Sequence, residues 1–165
     1  MTFPNAITGG CLCGSIRYSI SPSGETSWPP QSSACQCTMC RKWTSSLIAQ
    51  FIILLPAQLS PPFRTHETYE EYESSPGRYR GFCKRCGTSL VWRSADDGST
   101  VDVFLGTVDE RWLVHEDEGK VGQALGMPNG TQFWMENAIP GVTDLMKGGK
   151  EFLKEGEDGW ERKRE

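Results

Sequence analysis

The sequence predicts a mainly β domain with short helical turns. Three observations carry this: strict alternation of apolar and polar residues over 16–20, a nine-residue apolar run over 47–55, and paired aromatic-rich segments separated by turn residues between 68 and 105. The alternating stretch Ile16-Arg17-Tyr18-Ser19-Ile20 suits a half-buried strand and stops at Ser21-Pro22, after which turn residues dominate to Pro30. The run 47–55 is interrupted only by Gln50 and bounded by Ser45-Ser46 and Pro56, so it reads as a buried strand rather than a very short helix. Pro56, Pro61 and Pro62 mark an irregular connection. Residues 68–73 interleave aromatic with acidic side chains through Tyr69 and Tyr72. Ser74-Ser75-Pro76-Gly77 then turns the chain into 79–82, giving a hairpin. Leu90-Val91-Trp92 and 101–105 form a further strand pair about the turn Asp96-Asp97-Gly98-Ser99. Residues 109–120 mix charges around Trp112 and Leu113 and suit a surface helix or loop. Over 147–165, 12 of 19 residues are charged, which predicts a solvated helix or frayed tail with Phe152, Leu153 and Trp160 as packing points. The expected division is one domain over 1–146 and a charged tail over 147–165.

At 165 residues with 37% hydrophobic and 23% charged side chains, the chain can bury one substantial core. No apolar run approaches a membrane span, so no membrane association is expected. The net charge of -4, without a basic stripe, argues against nucleic acid as a partner. The opening residues MTFPNAITGG carry neither a basic nor an apolar leader region, and a cytoplasmic, reducing setting is expected.

The chemistry lies in the seven cysteines. An odd count leaves one thiol over in any disulfide framework, and the spacing is too tight for comfortable pairing. They form three units: Cys11-Leu12-Cys13; Cys35-Gln36-Cys37-Thr38-Met39-Cys40; and Cys83-Lys84-Arg85-Cys86. In a reducing compartment such spacings suit metal ligation, because a tight turn aims two sulfurs at one ion about 2.3 Å away. Zinc leads. All-thiolate ligation also suits iron–sulfur clusters, although CxC beside CxCxxC is an uncommon ferredoxin spacing. Units of two, three and two make a four-thiolate site from whole units in one way, Cys11 and Cys13 with Cys83 and Cys86, and leave Cys35, Cys37 and Cys40 as a local set of three. Four ligands close a structural site, whereas three leave a position for water or substrate. Other pairings of the units, an unmetallated or redox thiol cluster, and closure of the triplet by His66 or His115 remain open alternatives. Arg41, Lys42, Lys84 and Arg85 flank the cysteine units, either offsetting thiolate charge or forming a solvated basic edge. Trp43 stands near the triplet as a wall of its site or as core.

The segments GGCLCGSIRY, CQCTMCRKW, SSPGRYRGFCKRCGTSL and GTVDE, in this order over 9–109, resemble the glutathione-dependent formaldehyde-activating enzyme family, which includes centromere protein V. The resemblance implies a β-tent fold of antiparallel sheets with zinc knuckles. It implies two zinc ions per chain: a structural zinc on Cys11, Cys13, Cys83 and Cys86, and an open, catalytic zinc on Cys35, Cys37 and Cys40. It further implies a carbon–sulfur lyase that makes or breaks an adduct between a small thiol such as glutathione and a small aldehyde such as formaldehyde. Arg17, Arg41 and Lys42 are candidates for gripping the carboxylates of a peptide thiol. Three departures from the family pattern bear on the substrate: Gln36 within the triplet, Thr44-Ser45-Ser46 in place of a glycine after it, and Gln132 before Phe133-Trp134. The alternative is a non-catalytic, zinc-stabilised protein-binding module. The oligomeric state is left open.

Overall fold

The computed structural model describes residues 3–24, 27–95 and 98–155. Among them are two sheets and two short α-helices, in agreement with the mainly β expectation. The first sheet is antiparallel and has three strands: β1 (Ile7–Gly10), β2 (Arg17–Ile20) and β5 (Leu59–Ser60), in the order β1-β2-β5. The second has eight strands. Its members are β3 (Gln31–Cys35), β4 (Ala49–Leu54), β6 (Tyr69–Ser75), β7 (Arg78–Cys83), β8 (Ser89–Ser94), β9 (Val101–Phe104), β10 (Thr131–Phe133) and β11 (Lys150–Glu151). They run β11-β10-β3-β4-β9-β8-β7-β6, antiparallel except where β10 pairs with β3 and β11. Helix α1 (Thr38–Thr44) follows β3, and α2 (Lys120–Gly126) precedes β10. No helix among the described residues is long and apolar enough to cross a membrane.

The large sheet carries an apolar cluster on each face, which explains the apolar run, interrupted only by Gln50, that forms β4. Ile52 and Leu54 join Val91 and Val103 in the main core, together with Ile7 and Ile20 from the small sheet and Ile16 just before β2. The alternate residues Phe51 and Ile53 turn to the other face, where they cluster with Phe104, Trp92 and the Cys35 unit. Period-2 alternation thus separates a sealed core from a second, thiol-bearing apolar cluster.

β1 and β3 carry no strong strand signal in the sequence, being short and rich in Gly or Ser. They are strands because their neighbours pair with them along their length. The expected hairpin β6–β7 and the pair β8–β9 are present. Of the turn expected at 96–99, Asp96 and Asp97 lie outside the described residues. The segment 109–120 is more deeply tied than a surface loop: Trp112 is buried and its indole N–H donates to Thr8 Oγ1 at 2.9 Å.

The described part of the charged C-terminal stretch is neither helix nor frayed. β11 pairs with β10, Phe152 N–H donates to Gln132 O at 2.9 Å, and Trp134 N–H donates to Lys154 O at 3.0 Å. Backbone pairing needs no apolar pattern, so charge composition did not reveal it. Residues 156–165, including Trp160, lie outside the described residues.

Candidate metal centres and the cavity beside them

Two hairpin ends deliver the first group of sulfurs. Between β1 and β2, Gly14 N–H donates to Cys11 O at 3.0 Å. After β7, Gly87 N–H donates to Cys83 O at 2.8 Å. Both glycines have positive φ, 75° and 76°, the conformation that lets each turn close beneath its two cysteines. Leu12 N–H donates to Thr88 Oγ1 at 3.0 Å and joins the two turns. The sulfurs of Cys11, Cys13, Cys83 and Cys86 consequently all lie within 4.8 Å of one another. The Cys11–Cys13 and Cys13–Cys83 separations are 3.5 and 3.8 Å. Tetrahedral zinc with bonds of about 2.3 Å places its sulfurs about 3.8 Å apart, so this donor set fits that ion.

The second group is built on a strand–helix junction. Cys35 ends β3, Cys37 caps α1, and Cys40 lies in the first turn of that helix. Cys40 N–H donates to Cys37 Sγ at 3.3 Å and Cys37 N–H to Cys35 Sγ at 3.5 Å. Their three sulfurs also lie within 4.8 Å of one another, and neither His66 nor His115 joins either group. All seven cysteines are free of disulfides. Hydrogen bonds from Cys35 and Cys40 hold the Cys37 thiol far below the ordinary thiol range, while Cys35, the donor in that pair and buried, is pushed up. The triplet therefore favours at least one thiolate, the form a metal binds.

The triplet opens onto a cavity of about 460 Å³ on the second face of the large sheet. Its floor is aromatic: Phe51, Trp92 and Phe104. Phe133 and Trp134 form a wall. Arg78 and Arg80 enter from β7, Asp102 from β9, and Glu155 from the C-terminal segment. Arg80 is only 3% exposed; its guanidinium lies 3.7 and 3.8 Å from Cys40 Sγ, and its Nε donates to Ser74 Oγ at 3.0 Å. A buried guanidinium with a thiol as neighbour supplies positive charge where thiolates gather.

Of the cationic candidates read from the sequence, none lines this cavity. Arg17 donates to both carboxylate oxygens of Asp109, which belongs to the GTVDE segment. Arg41 donates to Leu47 O, Gln36 Oε1 and Asn137 O, at 2.8, 2.9 and 2.8 Å. Lys42, Lys84 and Arg85 are exposed. Arg78 and Arg80 line it instead. Their signal was the alternation Arg78, Arg80, Phe82, which puts two cations on one face of a strand beside the triplet. Trp43 packs behind the triplet, stacked on Tyr72 at 6.3 Å and edge-on to Phe82 at 5.8 Å.

The departures at Gln36 and Gln132 turn away from the cavity. In extended chain, the residue between two ligands on one side must point to the other. Gln36 is buried; its Oε1 accepts from Thr143 Oγ1 at 2.6 Å and from Arg41, and its Nε2 donates to Thr143 O at 3.1 Å. Gln132 donates to Met146 O and Gly148 O, at 3.2 and 2.6 Å, while Phe133 takes the cavity side. Both glutamines fasten the C-terminal loops to the sheet. Ser45 stands at the left-handed cap of α1 with φ 54°, a conformation that favours glycine. Gln36→Leu removes the partners of a buried hydroxyl and a carbonyl, and is expected to cost about 2 kcal/mol. Thermal unfolding should show a drop of about 4–8 °C, and an unchanged melting temperature would contradict the fastening role.

Set against known proteins, residues 6–121 match the family model described as glutathione-dependent formaldehyde-activating enzyme. An uncharacterized lyase of Schizosaccharomyces pombe is 34% identical over 84 residues, 51% of this chain and 55% of that protein. The chain thus aligns with about half the length of that relative. A crystal structure of a Rhodobacter sphaeroides protein is similar with a TM-score of 0.49 and 16% identity, over 63% of this chain and 89% of that one.

Proposed function

This chain belongs to the glutathione-dependent formaldehyde-activating enzyme family, and from that premise we propose that it is a lyase that makes or breaks the carbon–sulfur bond of an adduct between a small thiol and a small aldehyde. The observation that carries this is the convergence of Cys35, Cys37 and Cys40 on the wall of a cavity large enough for a small molecule. Cys11, Cys13, Cys83 and Cys86 are assigned to a structural zinc that joins the two hairpins. Cys35, Cys37 and Cys40 are assigned to a second zinc with an open position.

Zinc bound at the triplet would stabilise a substrate sulfur as thiolate, a soft ligand suited to an ion already carrying thiolates. Three thiolates and one divalent cation sum to a charge of about -1. Arg80 offsets that charge from within the buried wall. Arg78, which also donates to Ser94 Oγ at 2.9 Å, is placed to meet a substrate carboxylate. The aromatic floor excludes water and holds the carbon chain of the adduct. Glutathione and formaldehyde are the pair the family name suggests.

The test is turnover. Purified protein is mixed with formaldehyde and glutathione, then with other small thiols, and adduct formation and decay are followed by nuclear magnetic resonance exchange. Exchange accelerated over the uncatalysed rate, and lost when zinc is removed from the triplet, is the expected result. No acceleration with any thiol would overturn the enzyme reading in favour of a zinc-stabilised binding module.

A further inference from the structure

One carboxyl in the cavity has no structural occupation. Asp102 lies on β9, opposite Trp92 of β8 and near Ile53 of β4, with Phe104 two residues along the same face. It lines the same cavity as the triplet. Among the described residues no hydrogen bond or ion pair holds its carboxylate, and burial is the one influence acting on it, raising its pKa to about 7. The charged groups that share the cavity are Arg78 and Arg80 from β7 and Glu155 from the C-terminal segment. An aromatic floor gains nothing in stability from an unpartnered carboxyl. A carboxyl whose proton is shared evenly with neutral water is, however, well matched to proton transfer at that pH.

We propose that Asp102 is the proton-transfer group of the cavity, resting on the lyase reading above. In adduct cleavage the carbon–sulfur bond breaks and sulfur keeps the electron pair. The hydroxyl O–H pair becomes the second bond of the aldehyde carbonyl, and the proton passes to an Asp102 oxygen. In addition, the protonated carboxyl returns that proton to the oxygen as the thiolate attacks carbon. No oxidant or reductant is consumed.

The test compares wild type with Asp102→Asn, which keeps shape and removes the titration. Expected for the variant are an unchanged zinc content, a KM within about threefold, and a kcat reduced on the order of 10²–10³-fold near pH 7. The wild-type kcat should show a limb near pH 7 that the variant lacks. Infrared difference spectra of wild type against the variant should show a carboxyl titrating near pH 7. If wild type turns over and the variant keeps kcat within threefold, or if the carboxyl titrates in the ordinary range near pH 4, the assignment of Asp102 is overturned and the lyase reading stands. If wild type itself does not turn over, the lyase reading falls and the role of Asp102 falls with it.

Discussion

Cys83→Ser is expected to yield no cooperatively folded protein. Cys83 is fully buried at the end of β7, in the main core, and its sulfur meets that of Cys13 at 3.8 Å across the junction of the two sheets. A structural four-thiolate zinc contributes about 10–16 kcal/mol of apparent binding free energy to its folded domain. A domain of this size has a net stability of about 5–15 kcal/mol. If the four sulfurs hold zinc as proposed, loss of one ligand forfeits a large part of that binding free energy, an amount comparable with the net stability. It also leaves a buried hydroxyl without a metal partner. Near-ultraviolet circular dichroism should be flat and the thermal transition absent, and strong chelation of wild type should give the same state. A Cys83→Ser protein that melts cooperatively within a few degrees of wild type would show that the four sulfurs are not the clamp between sheets.

Cys37→Ser should behave in the opposite way, keeping the fold and losing the reaction. Cys37 is half-buried at the rim of the cavity, outside the main core, and its structural duty is to accept the N–H of Cys40 at the start of α1. Serine performs that capping duty well, so the helix persists. Metal affinity does not. Changes in groups behind a ligand already cost about 10–100-fold, and replacement of the ligand itself is expected to cost more, taking adduct turnover to background. The check is turnover and melting temperature measured on one preparation. Turnover within tenfold of wild type would remove the triplet from the chemistry. A variant that unfolds would make the triplet a second structural site.

The grouping of four and three cysteines was readable in the sequence because tight turns keep sulfurs within reach of one ion, and the structure brings together the same two groups. The strands β4, β7 and β8 were readable from apolar runs and alternation. β1, β3, β10 and β11 were not, since they are short, carry little apolar pattern of their own and are strands by virtue of the neighbours they pair with, which for β10 lie about a hundred residues away in β3. The cations that line the cavity differ from those the sequence offered for a related reason. Arg17, Arg41 and Lys42 are near cysteines along the chain, but Arg17 and Arg41 are engaged with Asp109 and with Gln36 and Asn137, whereas Arg80 reaches Cys40 from a strand forty residues away. Asp102 was hidden in an otherwise ordinary strand, where the register against Trp92 and Ile53 shows the face it takes. What Gln36 and Gln132 bond to was not legible, because the alternation of extended chain turns both away from the cavity and onto loops distant in sequence or unpatterned.

The most direct test of the two-site account is zinc per chain in wild type and Cys37→Ser, each reconstituted with zinc, freed of excess by gel filtration, and assayed by mass spectrometry for metal. The account predicts close to two ions per chain in wild type and close to one in the variant, both folded. The same number in both proteins, with the Cys35, Cys37 and Cys40 thiols of wild type reacting as free thiols, would contradict it.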